Sequence, residues 1–158
     1  GLAPREIEAA FHDFAGLPHR SQTVAEIGGV AFVNDSKATN PASTAPALAA
    51  YPKVHWIVGG LPKGDNLDEC APNFGHVVKA YTIGEAGPMF RDLLAPVMPV
   101  EQCELMGSAV HAAARNAKAG EVVLLSPACA SFDQFKDFEA RGDFFKAIVA
   151  EIARERRA

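Results

Sequence analysis

The chain has 158 residues, 49% apolar and 22% charged, with 15 Lys and Arg against 19 Asp and Glu. That is the balance of one ordinary folded domain, alone or with a short appendage, and it excludes intrinsic disorder as the main description. A net charge of -4 with no basic block lacks the positive footprint that nucleic-acid binding needs, and no apolar run approaches the roughly 18 residues of a membrane span.

The chain opens with neither Met nor a signal peptide. Glu6-Ile7-Glu8-Ala9-Ala10-Phe11 reads as a helix already under way, so the chain is expected to be part of a longer protein. Apolar residues at Ile7, Ala10, Phe11 and Phe14 predict a short amphipathic helix. Gly16-Leu17-Pro18 ends it and starts a linker. Val24 to Ile27 and Val30 to Val33 flank Gly28-Gly29, a hairpin signal. Asn40-Pro41 predicts a helix start, with Asn as N-cap, and the helix runs to about Ala50.

The rest alternates. Val54 to Val58 is a continuous apolar run, as in a strand buried on both faces. A helix is expected from Leu67, a strand over Val77 to Ile83, a helix over Pro88 to Leu94 and a weak strand over Pro96 to Cys103. Ser108 to Ala119 reads as an Ala-rich helix and Val122 to Leu125 as a strand. Phe138 to Arg157 reads as a long helix interrupted by Gly142. This pattern predicts an α/β, Rossmann-like fold: a mostly parallel sheet flanked by helices, with one antiparallel hairpin strand.

In such sheets ligands bind beyond the carboxyl ends of the strands. Three loops there carry polar chemistry: Asn34 to Asn40, Gly59 to Asn66, and Ser126 to Phe135. Two supply a lysine, and all supply hydroxyls, glycines or backbone N–H groups near helix starts, which is equipment for an anion. None matches a phosphate-binding fingerprint by itself. The cysteines Cys70, Cys103 and Cys129 are widely spaced, with no CxxC pair. They predict a reducing, cytoplasmic setting, and Cys129 reads as a small buried thiol. The five histidines show no metal-ligand spacing, His55 reads as structural and Arg154, Arg156 and Arg157 as a solvated helix end.

Three blocks, Gly16-Leu17-Pro18-His19-Arg20, Asn34-Asp35-Ser36-Lys37-Ala38-Thr39-Asn40, and Leu124 to Phe135 with Phe138-Glu139-Ala140-Arg141-Gly142, resemble the C-terminal domain of the Mur ligase family. The match is to the branch that adds D-glutamate, and it covers Gly16 to Gly142. The resemblance implies that residues 1–20 are the end of a central ATP-binding domain plus linker, and that residues 21–158 are the amino-acid-binding domain. It implies an ATP-dependent acid–D-amino-acid ligase acting in peptidoglycan precursor synthesis, with ATP and Mg held mainly by a domain outside this chain. UDP-N-acetylmuramoyl-L-alanine would bind outside it too.

Carried over by position, Lys37, Thr39, Lys63, Ser131, Phe132 and Phe138 would contact D-glutamate. His19, Arg20 and Asp35 would meet ATP, and no catalytic or metal-binding residue is assigned. Gly59-Gly60-Leu61-Pro62-Lys63 departs from the family's Gly-Gly-Asp-Gly-Lys: Pro62 removes a backbone donor, and Asp65 stands two residues beyond Lys63. With no P-loop in the chain, the isolated fragment is expected to be inactive. The rival readings are another Mur-type or folylpolyglutamate-type ligase domain, and a non-catalytic Rossmann-like binding domain.

Overall fold

The computed structural model describes residues 17–157; the expected helix from Ile7 to Phe14, and Gly16, lie outside them. Strands β1 (Gln22–Ile27) and β2 (Val30–Asn34) form the antiparallel hairpin around Gly28-Gly29. Both glycines have positive φ, +59° and +81°, which a tight turn between right-twisted strands demands. Helix α1 (Pro41–Ala49) begins as its cap predicts, with Asn40 Oδ1 accepting from Ser43 N at 2.9 Å.

Strand β3 (Val54–Gly59) is buried along its whole length. A 3₁₀ segment (Asp68–His76), β4 (Val77–Ile83), α2 (Gly87–Leu94), β5 (Val100–Glu104), α3 (Met106–Asn116), β6 (Val122–Leu125) and α4 (Phe138–Arg157) follow. The sheet order is β1-β2-β6-β3-β4-β5, and every pair except β1–β2 is parallel.

The structure corrects four boundaries. The helix expected from Leu67 is a 3₁₀ segment with Pro72 inside it, where an α-helix would need the N–H that proline lacks. The weak strand is confined to Val100–Glu104. Helix α3 stops at Asn116, not Ala119. There Lys118 N donates to Glu121 Oε1 and Gly120 N to Gly29 O, so a turn captures the donors of a further helical turn. Gly142 does not interrupt α4, which is continuous over 20 residues. Its missing Cβ instead admits the His19 ring, with Asn34 Nδ2 also beside the vacant position.

Side chains alternate across the sheet. Val54, Trp56 and Val58 pack with α1, the 3₁₀ segment and α2, through Leu48, Cys70, Phe90 and Leu94. Ile57, Tyr81, Val123 and Leu125 face α3 and α4, through Val110, Phe145 and Val149. Among the described residues, Thr82 Oγ1 and Ser131 Oγ are buried without a partner, whereas the polar side chains of β3 are paired. His55 lies between Tyr81 OH at 2.9 Å and Glu121 Oε1 at 2.8 Å, and Trp56 Nε1 donates to Ser126 O at 2.8 Å. The helix-end arginines are less idle than expected, because Arg156 Nη2 donates to Ala114 O at 3.0 Å.

Strands β2 and β6 are neighbours, but β2 leads to α1 on one face and β6 leads to α4 on the other. Their carboxyl ends therefore flank a crevice where the topology switches, the place an open α/β sheet offers a ligand.

Candidate functional site

The three polar loops converge at that edge and are tied together by backbone. Asp35 N donates to Leu125 O at 2.7 Å, extending the β2–β6 ladder by one rung, and Gly59 N donates to Pro127 O at 3.0 Å. Leu61 and Ala130 exchange two bonds, 2.9 and 3.0 Å. The family departure at Leu61-Pro62 thus leaves this bridge intact, and Lys63 follows directly from it. Gly60 runs beneath the third loop with φ +131°, and a Cβ there would stand 2.6 Å from Ala130 O, so only glycine fits.

Two neighbouring cavities open on this edge. The larger, about 600 Å³, is lined by Arg20, Ser21, Asp35, Lys37, Ala38, Ser43, Pro46 and Ala47. The smaller, about 210 Å³, is lined by Thr39, Lys63, Ala130, Ser131, Phe132 and Phe138. Lys37 stands between them: it lines the first, and its Nζ lies 5.7 Å from the Phe138 ring centroid of the second. Five of the six residues assigned to D-glutamate thus share one cavity, and Lys37 leans toward it. Arg20 and Asp35, assigned to ATP, share the other. His19 is in neither: it is buried behind them against Asn34 and Phe138.

Each cavity has a distinct electrostatic character. In the smaller one, Ser131 Oγ is buried with no hydrogen-bond partner among the described residues. An unpaired buried hydroxyl is costly and rare, so this one is available to a ligand beside the Lys63 ammonium. In the larger one, Asp35 is held by Ser126 Oγ at 2.6 Å and Ser21 N at 2.9 Å. Burial pushes the Asp35 carboxyl above its ordinary 3.8, against the downward pull of Ser126, Ser21 and Arg20.

A carboxyl raised in the folded state contributes stability below its unfolded pKa, and that contribution is lost as pH rises through the folded pKa. Wild type is therefore expected to gain stability relative to Asp35→Asn as pH falls through the range above 3.8. Denaturant melts across that range check this, and parallel wild-type and variant curves would contradict it.

Sequence reading missed the residue that holds the loops together. Arg141 is fully buried and donates from Nε to Ser36 Oγ (2.9 Å), from Nη2 to Ser36 O (2.6 Å) and from Nη1 to Cys129 O (2.9 Å). It joins α4 to the first and third loops, and burial pulls its pKa down to about 10. The signal was present: Arg141, Phe145, Ile148, Val149 and Ile152 form one helical stripe, and a cation on an apolar stripe marks a buried, fully bonded site. Cys129 is buried as expected, with its thiol pushed up to about 12 by desolvation, which leaves it inert as a nucleophile.

Comparison with known proteins bears on the family and the fold. The family model described as Mur ligase, glutamate ligase domain matches residues 19–129. A UDP-N-acetylmuramoylalanine–D-glutamate ligase of Novosphingobium aromaticivorans is 64% identical over 158 residues, 100% of this chain and 36% of that protein. The ligase of the same name from Zymomonas mobilis is 52% identical over 153 residues, 96% of this chain and 35% of that protein. The chain thus spans about a third of the length of these relatives. FolC of E. coli superposes with TM-score 0.61 at 24% identity, over 87% of this chain and 32% of that one. A UDP-N-acetylmuramate-alanine ligase of Thermotoga maritima gives 0.59 at 14%, over 90% and 32%. At these identities the two structures speak for the fold alone. Matched by a family model across both the first polar loop and the start of the third, the chain belongs to the Mur ligase family, through its glutamate ligase domain.

Proposed function

We propose that this chain is the C-terminal, amino-acid-binding part of a cytoplasmic ATP-dependent ligase that joins D-glutamate to UDP-N-acetylmuramoyl-L-alanine in peptidoglycan precursor synthesis. Residues 1–20 would be the end of a central nucleotide-binding domain with its linker, and residues 21–158 the C-terminal domain. The observation that carries the reading is Ser131 Oγ, buried without a partner in the same small cavity as Lys63 and Thr39. A dicarboxylic amino acid suits that donor set. Lys63 and Ser131 take the distal carboxylate, while Lys37 and Thr39 stand toward the reacting end. The names of the relatives above support D-glutamate as that amino acid.

The adjoining cavity suits a nucleotide. Arg20 and Lys37 offer cations to phosphates, and Asp35 offers an acceptor to ribose hydroxyls. In the whole enzyme, ATP would phosphorylate the acceptor carboxylate to an acyl phosphate, releasing ADP. The D-glutamate amine then attacks that carbonyl, the amide forms and phosphate leaves. Mg bound with ATP would neutralise phosphate charge, and its ligands are assigned to the rest of the protein. This chain's part is to orient the amine, hold both carboxylates and close over the phosphates.

The test compares the full-length protein with the 158-residue chain. The full-length protein is expected to form product from D-glutamate and ATP, and the isolated chain to form none and hydrolyse no ATP. Steady product formation by the isolated chain would overturn the division of labour. Preference of the full-length protein for another amino acid would point to a sister ligase instead.

A further inference from the structure

His19 lies outside both cavities yet touches the elements that frame them. Its ring is seated in the slot left by Gly142 at the start of α4. It stands edge-on to Phe138, with centroids 6.1 Å apart, and its carbonyl accepts from Lys37 N at 2.9 Å. Its backbone has φ +66°, a conformation a non-glycine residue keeps only where its surroundings enforce it.

The hydrogen bonds assign its tautomer. Ser36 N only donates, and it donates to Asn34 Oδ1 at 3.1 Å. The Asn34 amide nitrogen therefore faces His19 Nδ1 at 2.9 Å and Gln22 Oε1 at 3.4 Å. That nitrogen is a donor, so His19 Nδ1 is the acceptor and carries no proton. The imidazole proton sits on Nε2, which faces Asp143 Oδ1 at 3.7 Å.

We propose that His19 is a positioning residue of the site. Through its unprotonated Nδ1 it clamps the end of β2 to α4, and so holds Lys37 by the backbone and Phe138 by the ring, without touching nucleotide. The proposal rests on the reading of the site as that of D-glutamate and ATP, and it departs from the ATP contact that the family resemblance implies. A direct nucleotide contact would have to use Nε2, because Nδ1 is taken.

The two roles call for opposite conservative replacements. An asparagine carbonyl falls near the Nδ1 position and tolerates positive φ, whereas a glutamine amide falls near Nε2. In the full-length protein, His19→Asn is expected to keep kcat within about threefold. His19→Gln and His19→Ala should lose about tenfold, the equivalent of one buried hydrogen bond, with the ATP KM nearly unchanged and melts confirming folding. Gly142→Ala should resemble His19→Ala, because its methyl displaces the ring, and the double variant should cost little more than either single one.

Retained activity in Gln but not Asn, with a raised ATP KM, would make His19 a nucleotide contact. Three variants equal to wild type, or additive losses in the double variant, would also overturn the proposal. Imidazole ¹⁵N shifts of the 158-residue chain report the tautomer whether or not the whole protein is a D-glutamate ligase. A proton on Nδ1 there would overturn the clamp itself, whereas absence of ligase activity in the wild type would overturn only the functional reading.

Discussion

Replacing Arg141 by alanine is expected to destabilise the chain by about 3–5 kcal/mol: three hydrogen bonds from a charged donor, each worth about 1.5–3 kcal/mol, are lost, offset in part by relief of the cost of burying the guanidinium. Three bonds are lost, from Nε, Nη1 and Nη2, and Ser36 O and Cys129 O lose donors in a water-excluded place. A chain of this size loses about 2–4 °C of Tm per kcal/mol, so the melt should fall by roughly 6–20 °C. Arg141→Lys should recover little, because a single ammonium cannot reproduce a planar fork that reaches two backbone carbonyls and a hydroxyl. Arg141→Met should fare better than Ala by filling the space, yet stay well below wild type, since the acceptors remain unpaired. Thermal and denaturant melts of the three variants test this. An Ala variant melting within about 2 °C of wild type, a change of under 1 kcal/mol, would show that the loops do not depend on this staple.

The second large effect concerns Lys37 and Lys63 in the full-length protein. Both are exposed in the isolated chain and are proposed to meet carboxylates in a partly closed site, where a charge-assisted contact contributes about 1.5–3 kcal/mol. Removing either should reduce productive D-glutamate use by roughly 10- to 100-fold. The two should differ in kind. Lys63 shares the small cavity with Ser131, so Lys63→Ala should mainly raise the D-glutamate KM. Lys37 stands between the cavities, so Lys37→Ala should lower kcat as well. Steady-state kinetics in both substrates, with melts to confirm folding, separate these outcomes. Unchanged D-glutamate kinetics in Lys63→Ala would mean that the carboxylate contact lies elsewhere than beyond Leu61-Pro62.

Much of the fold was legible because its signals are local. The run from Val54 to Val58 is apolar but for His55 because β3 is covered on both faces, where a side chain must be apolar or, like His55, hydrogen-bonded. Asn40-Pro41 and Gly28-Gly29 were legible because each states a backbone geometry: a cap with a pre-set φ, and two positive φ angles. The boundaries that shifted, at Ala117 and over the 3₁₀ segment, were set by competitors for the same N–H groups or by a proline that could not supply one. Gly142 misled because glycine in a helix reads as a weak point, when here its bare Cα makes room for a neighbouring ring.

The amino-acid sequence by itself determined the α/β alternation, the hairpin, the carboxyl-edge loops as the place to search and, through its motif blocks, the family. These follow from periodicity, turn chemistry and residue order, which need no knowledge of distant contacts. Only the tertiary structure decided how the loop residues divide. It placed Thr39, Lys63, Ser131, Phe132 and Phe138 around one cavity and Arg20 and Asp35 around another, left Lys37 between them, withdrew His19 from both and made Arg141 the staple. Those assignments depend on β6 inserting between β2 and β3, which brings together residues some 90 to 105 positions apart, and on desolvation, which exists only once the crevice has closed around them.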